Sequence, residues 1–420
     1  MVKPGYKQTE VGLIPEDWEV NSIRSVVTSY RTGGNYRNSS EVTEAPLIKM
    51  GNLSRGYINL QKIEYVSRGV VPNPLDRLQY GDVLFNTRNT PELVGKTAVW
   101  KNELPCAYYN LNLLRFEFDP DRIDPFFFNA ILNTKDLIAE LKNIAKGTTS
   151  VAAIYPQDLM NVKIQIPPIS EQRMISKAIT EMDDLIGLLE KQIAKKKTIK
   201  QGAMQELLTG KKRLPGFSGE WINFNLMKHS KIKARIGWQG LKKSEYLDSG
   251  YALLITGTDF DDGKVEWDSC HYVTRSRYEQ DRNIQIQNND ILITKDGSLG
   301  KAALVQGLTK PATLNSGIFV IRPMQNAYDP VFVYHILSSF VFKDFLDKLS
   351  AGSTIIHLYQ KDICKFEFLL PPTIEEQDAI AALLSEMDSE IEALQQKLEK
   401  YRQLKQGMMQ QLLTGKIRLK

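Results

Sequence analysis

The chain repeats itself. Residues 171–214 and 376–419 align without a gap at an offset of 205, and 21 of the 44 pairs are identical. Such a duplication constrains the fold before any local feature does, because each copy should sit in an equivalent environment. Weaker matches run upstream. Asp124-Pro125-Phe126-Phe127-Phe128 pairs with Asp329-Pro330-Val331-Phe332-Val333, and Gly147-Thr148-Thr149 with Gly352-Ser353-Thr354. Pro167-Pro168 pairs with Pro371-Pro372 at an offset of 204, and Gly81-Asp82-Val83-Leu84 resembles Asn289-Asp290-Ile291-Leu292. The chain therefore reads as a variable domain (1–166), a helical segment (167–212), a second variable domain (213–370) and a second helical segment (371–420).

In the first helical segment apolar residues fall at Ile175, Ile179, Met182, Ile186, Leu189 and Ile193. In the second they fall at Ile380, Leu384, Met387, Ile391, Leu394 and Leu398. Steps of four and three make an a/d seam. Pro168-Ile169-Ser170 and Pro372-Thr373 offer start signals, Thr373 with Glu376 forms a capping box, and Gly210 and Gly415 suit helix ends. About 40 residues give a rod of roughly 60 Å. The seam predicts an intramolecular two-stranded coiled coil. Gly202 and Gly407 occupy matching helical positions. Each costs about 1 kcal/mol relative to alanine, and both a close partner backbone and a simple kink would account for them.

The variable domains look mixed α/β, with short strand-like runs and one helix opening on Asp-Pro in each, about 125–145 and 330–349. Residues 1–170 hold 19 basic and 18 acidic side chains, and residues 214–371 hold 18 and 17. A polyanion site must then come from local segregation of charge. Candidates in the first domain are Arg31-Thr32-Gly33-Gly34, Arg55, Arg68, Arg88 and Lys96. In the second they are Arg235-Ile236-Gly237-Trp238-Gln239-Gly240, Lys242, Lys243, Lys295 and Lys301. Glycine-rich turns beside Arg and Gln let amides and side chains approach phosphates and base edges together. Gln239 could pair with adenine, Trp238 could stack or simply fill a core, and Arg31 and Arg235 look like members of equivalent turns. The loops Lys146-Gly147-Thr148-Thr149 and Gly352-Ser353-Thr354 carry hydroxyls suited to a phosphate backbone.

Composition narrows the classes. Net charge is +5, which permits a polyanion partner without demanding one. No apolar run reaches a membrane span and the start lacks a signal h-region, so a cytoplasmic chain is expected. Cys106, Cys270 and Cys364 lie far apart and read as free buried thiols. There is no amino-methyltransferase box, no Walker A and no His-Glu-x-x-His, and His229, His271, His335 and His357 are scattered. No catalytic or metal-binding set emerges, and no cofactor is expected on this chain.

At this point the residues resemble a family, the specificity subunits of type I restriction–modification systems, over essentially the full length. Gly12-Leu13-Ile14-Pro15-Glu16-Asp17-Trp18 and Arg213-Leu214-Pro215-Gly216-Phe217-Ser218-Gly219-Glu220-Trp221 carry the resemblance. So do the two Glu-Gln helix starts behind Pro-Pro and the two Leu-Leu-Thr-Gly-Lys ends. The resemblance implies two target recognition domains reading the halves of an asymmetric bipartite DNA site. It implies helices that act as ruler and as docking surface for two methyltransferase subunits, which bring S-adenosylmethionine. Two motor–nuclease subunits would bring ATP and magnesium. The shared string places docking on Gln201, Gly202, Met204, Leu207 and Leu208 and on Gln406, Gly407, Met409, Leu412 and Leu413. Two related readers on one duplex favour a dyad across it, which makes the helices antiparallel. One added heptad, about 10 Å, should widen the gap by about three base pairs. The competing readings are a self-contained methyltransferase or nuclease, and a coiled-coil adaptor without a DNA role.

Overall fold

The structure, a computed structural model, describes residues 4–148, 150–350 and 357–419, with Trp238 and Ser350 described by backbone only. It is α+β and divides into two compact units. The first comprises Met1–Glu190 with Lys397–Lys420, and the second Lys191–Gln396. The two long helices, Ile169–Leu207 and Ile374–Leu412, each contribute one half to each unit.

Within the first unit Asp183 meets Lys405 at 2.5 Å and Glu190 meets Arg402 at 2.7 Å. Within the second Lys196 meets Glu390 at 2.5 Å and Lys200 meets Asp388. In both, one helix's numbering falls as the other's rises, so the segments run antiparallel. Asp183–Lys405 and Asp388–Lys200 are the same pair carried over by 205 residues. The repeat thus carries the same helix–helix contact within each unit.

The expected seam has a split role. Ile175 and Ile179 lie in the core of the first unit and Ile380 and Leu384 in the core of the second, not in a helix-only seam. Leu189, Ile193, Ile391 and Leu398 are buried farther along, while Met182, Ile186, Met387 and Leu394 are half-buried. The amphipathic stripe thus serves domain packing at its start and helix pairing in its middle.

Each unit holds a four-stranded antiparallel sheet. In the first the order is Thr97–Val99, Val83–Asn86, Leu113–Phe118, Val27–Thr32. In the second it is Ala302–Leu304, Ile291–Thr294, Ile318–Pro323, Ser230–Lys233. Beside it a second sheet pairs Pro46–Ile48 parallel to Tyr108–Tyr109, and Ala252–Ile255 parallel to Ala312–Leu314. These are the runs that β-branched and aromatic content marks out.

The Asp-Pro helices form as read, with Asp124 and Asp329 accepting from Phe127 N and Phe332 N. Each then breaks, giving Pro125–Leu132 and Lys135–Ile144 in one unit and Pro330–Leu337 and Phe340–Ser350 in the other. At the breaks Thr134 and Ser339 turn their hydroxyls back to Ile131 O and Ile336 O. Such side chains compete with the helical ladder.

The long-helix starts differ from expectation. Thr373 accepts from Glu376 N at 3.3 Å, but the Glu376 carboxylate is held by Arg213, so the box is half formed. Ser170 lies inside the first turn of its helix, not at the cap. Of the three cysteines only Cys270 is fully buried.

The repeated motifs build one clasp per unit. Glu171 accepts from Trp18 Nε1 at 3.0 Å and from Arg418 at 2.7 Å twice. Arg213 grips Glu376 in the same way, and each arginine stacks over its tryptophan, Arg418 on Trp18 at 5.7 Å and Arg213 on Trp221 at 5.9 Å. Gly415 and Gly210 close the helix ends at positive φ, pressed against Pro15 and Trp221. Gln172 and Gln377 fix the Asp-Pro helices by accepting from Asp124 N and Asp329 N.

Candidate nucleic-acid interface

The sheet register aligns the two domains residue by residue. Arg31 faces Arg115, which faces Leu84; Lys233 faces Val320, which faces Leu292. Arg31 therefore matches Lys233, and Gly33 matches Arg235. The expected equivalence of Arg31 and Arg235 is off by two residues, because sequence similarity there is too weak to set register.

Gly33 and Arg235 solve one packing problem in opposite ways. Asn110 Oδ1 accepts from Asn112 N at 3.2 Å, and Asn315 Oδ1 accepts from Gly317 N at 2.9 Å, so Tyr109 matches Leu314. A Cβ on Gly33 would lie 2.0 Å from the Tyr109 carbonyl oxygen. Arg235 instead donates from Nε to the Leu314 carbonyl at 2.8 Å and from Nη2 to Thr313 Oγ1 at 3.1 Å. It is 1 % exposed, and burial holds its guanidinium below the usual arginine value. Arg235 is thus an internal brace in this structure and not a surface contact. Gln239 is also buried, its Oε1 without a partner. Both were expected at the DNA surface; their acceptors and cover lie far off in sequence.

The remaining candidates scatter. Arg31 pairs with buried Asp76 at 3.0 Å, and Arg68 pairs with Glu41 at 3.0 Å while staying exposed. Thr32 is exposed, whereas Gly34 packs against the Tyr36 ring. Arg55 is half-buried beside Gly95 O, its value lowered by burial, and Lys96 is half-buried. A small sheet does gather some of them. Arg88 and Lys146 flank Ala153 on neighbouring strands, and Thr148 follows in the hairpin. Lys146 is also paired with Asp158 at 2.7 Å.

In the second unit a cleft of about 400 Å3 is lined by Lys233, Arg235, Gly237 and Lys295, with Asp281, Asn283 and Tyr359. Lys295 lies 5.5 Å above the Phe319 ring at its floor. Lys242 and Lys243 stay exposed on a short turn, while Lys301 gives its ammonium to Phe260 O. Thr149, Ser353, Thr354 and the Trp238 side chain lie outside the described residues.

The helix-end leucines also depart from expectation. Leu207 and Leu208 belong to the second unit's core, and Leu412 and Leu413 to the first unit's. They are closed to any partner. Gln201, Gly202, Gln406 and Gly407 are exposed, and Met204 and Met409 are half-buried against those cores. A Cβ on Gly202 or Gly407 would meet nothing within 4 Å. Among the described residues, then, no close backbone approach accounts for either glycine.

One pair of residues escaped the sequence reading. Tyr155 and Tyr359 occupy matching positions and are 55 % and 56 % exposed. The signal was present as Tyr-x-x-Asp before Leu159 and Ile363, at an offset of 204.

Residues 15–199 and 238–401 match the Type I restriction modification DNA specificity domain. A chain of Methanocaldococcus jannaschii to which the MjaX specificity role is attributed is 28 % identical over 425 residues, covering 99 % of this chain and 97 % of that one. The type I restriction enzyme MjaVIII specificity subunit of the same organism is 25 % identical, covering 97 % and 94 %. The fold is similar to that of the type I restriction–modification S subunit from M. genitalium, at TM-score 0.61 and 15 % identity, covering 97 % and 98 %. With both halves matched to one domain family and the relatives spanned end to end, this chain belongs to the type I restriction–modification DNA specificity family.

Proposed function

We propose that this chain is the DNA specificity subunit of a type I restriction–modification complex and that each unit reads one half of a bipartite, asymmetric DNA site. The observation that carries the reading is a contrast. The helical segments are identical at 21 of 44 positions and each unit keeps a Trp–Glu–Arg clasp, while the domains keep one skeleton and change the side chains along it, as at Arg31 against Lys233 and Gly33 against Arg235. Equal skeletons with unequal polar loops suit unequal half-sites.

The chain is non-catalytic in this proposal, binds no cofactor, and works in the cytoplasm. Two methyltransferase subunits, bringing S-adenosylmethionine, dock on the exposed helix positions Gln201, Gly202, Gln406 and Gly407. Two motor–nuclease subunits bring ATP and magnesium. The paired helices set the gap between half-sites. Thr148, Arg88, Lys146, Lys233 and Lys295 are the basic and hydroxyl groups best placed for DNA. No helix among the described residues is long and apolar enough to cross a membrane.

The test is co-expression with the cognate methyltransferase subunit in an unmethylated host, followed by sequencing that reports modified adenines. A split motif with a fixed gap, methylated only when this chain is present, is the expected result. An assembled complex that leaves the genome unmodified contradicts the proposal.

A further inference from the structure

Two domains that differ where they read bases should agree where they touch what both half-sites share. Tyr155 and Tyr359 are such a point of agreement. Each directly follows a buried residue whose amide bonds the end of a central-sheet strand: Ile154 N donates to Thr87 O and Leu358 N to Lys295 O, both at 2.9 Å. Each then starts a short helix, Pro156–Leu159 or Gln360–Ile363, from an extended conformation. The core needs at this place are met by Ile154 and Leu159, and by Leu358 and Ile363. The tyrosine rings are left over half exposed, a placement the fold does not require.

Both rings carry an ammonium. Lys146 Nζ lies 5.9 Å from the Tyr155 centroid and Lys361 Nζ 5.4 Å from that of Tyr359. The two lysines come from different places, one from a strand before the tyrosine and one from the helix after it. The position matching Lys361 in the first unit is Gln157. The ring-plus-cation arrangement is kept although the residue that completes it is not. In the second unit the ring stands in the cleft with the ammonium groups of Lys233 and Lys295, and Asp281 is the one carboxylate among the described lining residues, while Arg235 is turned inward.

We infer that Tyr155 and Tyr359, each with its lysine, contact the sugar–phosphate backbone of the DNA, one in each half-site, and position the duplex without reading sequence. The inference rests on the DNA-specificity reading above. A tyrosine side chain contacts sugar and phosphate whatever the sequence, and an ammonium beside it meets phosphate. A methyltransferase subunit is the other partner common to both halves, but the cations of the cleft favour the polyanion.

The test uses the full chain assembled with its methyltransferase subunits, on a duplex carrying the motif mapped for the unaltered complex and on one lacking it. Tyr155→Ala and Tyr359→Ala should each weaken binding about tenfold on both duplexes, with the methylated motif unchanged. Lys361→Gln should lower the salt slope by about one. Tyr155→Phe and Tyr359→Phe, which keep ring and fold, should retain most of the affinity. Unchanged affinity of the alanine variants overturns the inference. So does a loss confined to the motif duplex, or a failure to assemble with methyltransferase subunits while the chain still melts cooperatively. If the unaltered complex binds neither duplex at low salt, the DNA reading itself falls.

Discussion

Arg418 holds Glu171 through two parallel N–H···O bonds of 2.7 Å, binding the segment that follows the second long helix to the first turn of a helix 247 residues earlier. The Glu171 side chain is 4 % exposed, so removing Arg418 would strand a buried carboxylate with only the Trp18 indole as partner. Arg418→Ala should therefore destabilise the first unit by about 3 kcal/mol. Arg213→Ala should do the same to the second through Glu376. Urea unfolding followed by amide exchange in each unit checks both, and a loss below about 1 kcal/mol would show the clasp to be incidental.

The Gly33–Arg235 equivalence predicts opposite sensitivities. Gly33→Ala must displace the Tyr109 backbone and should cost at least about 2 kcal/mol in the first unit. Arg235→Met fits the space but leaves the Leu314 carbonyl unpaired, for about 1–3 kcal/mol in the second. Each should disturb recognition of its own half-site only, as read by the fraction of motif copies methylated.

Gly202→Ala and Gly407→Ala meet open space, so each should stabilise the chain by about 1 kcal/mol in a thermal or urea melt. If methyltransferase subunits pack closely there, the same changes should weaken assembly in a titration of the subunits. A gain in stability with no loss of assembly would remove these glycines from the docking surface.

His335 is buried in the helix Pro330–Leu337, with Nε2 3.3 Å from Ser385 Oγ and Nδ1 unpaired. Burial first, then the charge of Lys200, push it down from 6.5 to about 3. A depressed folded value means the neutral ring stabilises the second unit above pH 6.5, and that this stability is lost as pH falls toward 3. The loss should be on the order of 5 kcal/mol at most. The matching residue in the first unit is Ala130, which does not titrate. His335→Gln should flatten the acid limb of the second unit's melting profile, and an unchanged limb would assign it to other groups.

Much of this was legible in the sequence, for identifiable reasons. The duplication is written in identities, and the central strands and Asp-Pro helices follow from local chemistry. What failed was non-local. Arg235 beside glycine reads as a surface cation because Thr313 and Leu314, which enclose it, lie nearly 80 residues away. Leu207, Leu208, Leu412 and Leu413 read as a docking patch because nothing nearby covers them, yet each pair enters a core built largely from distant residues. Glu171 and Glu376 read as helix-start signals, while their partners wait at the far ends of the repeats. Tyr155 and Tyr359 carry no signature singly, because a tyrosine before a short helix becomes a signal only when both copies are superposed.

The central claim is that the two units read DNA independently. The most direct measurement is to replace residues 1–166 with the corresponding domain of a relative that methylates a different motif, keep both long helices, and map adenine methylation of the host genome. The account predicts a motif in which one half changes, the other half stays, and the gap keeps its length. A motif altered in both halves, or unaltered in either, with the complex intact, would contradict it.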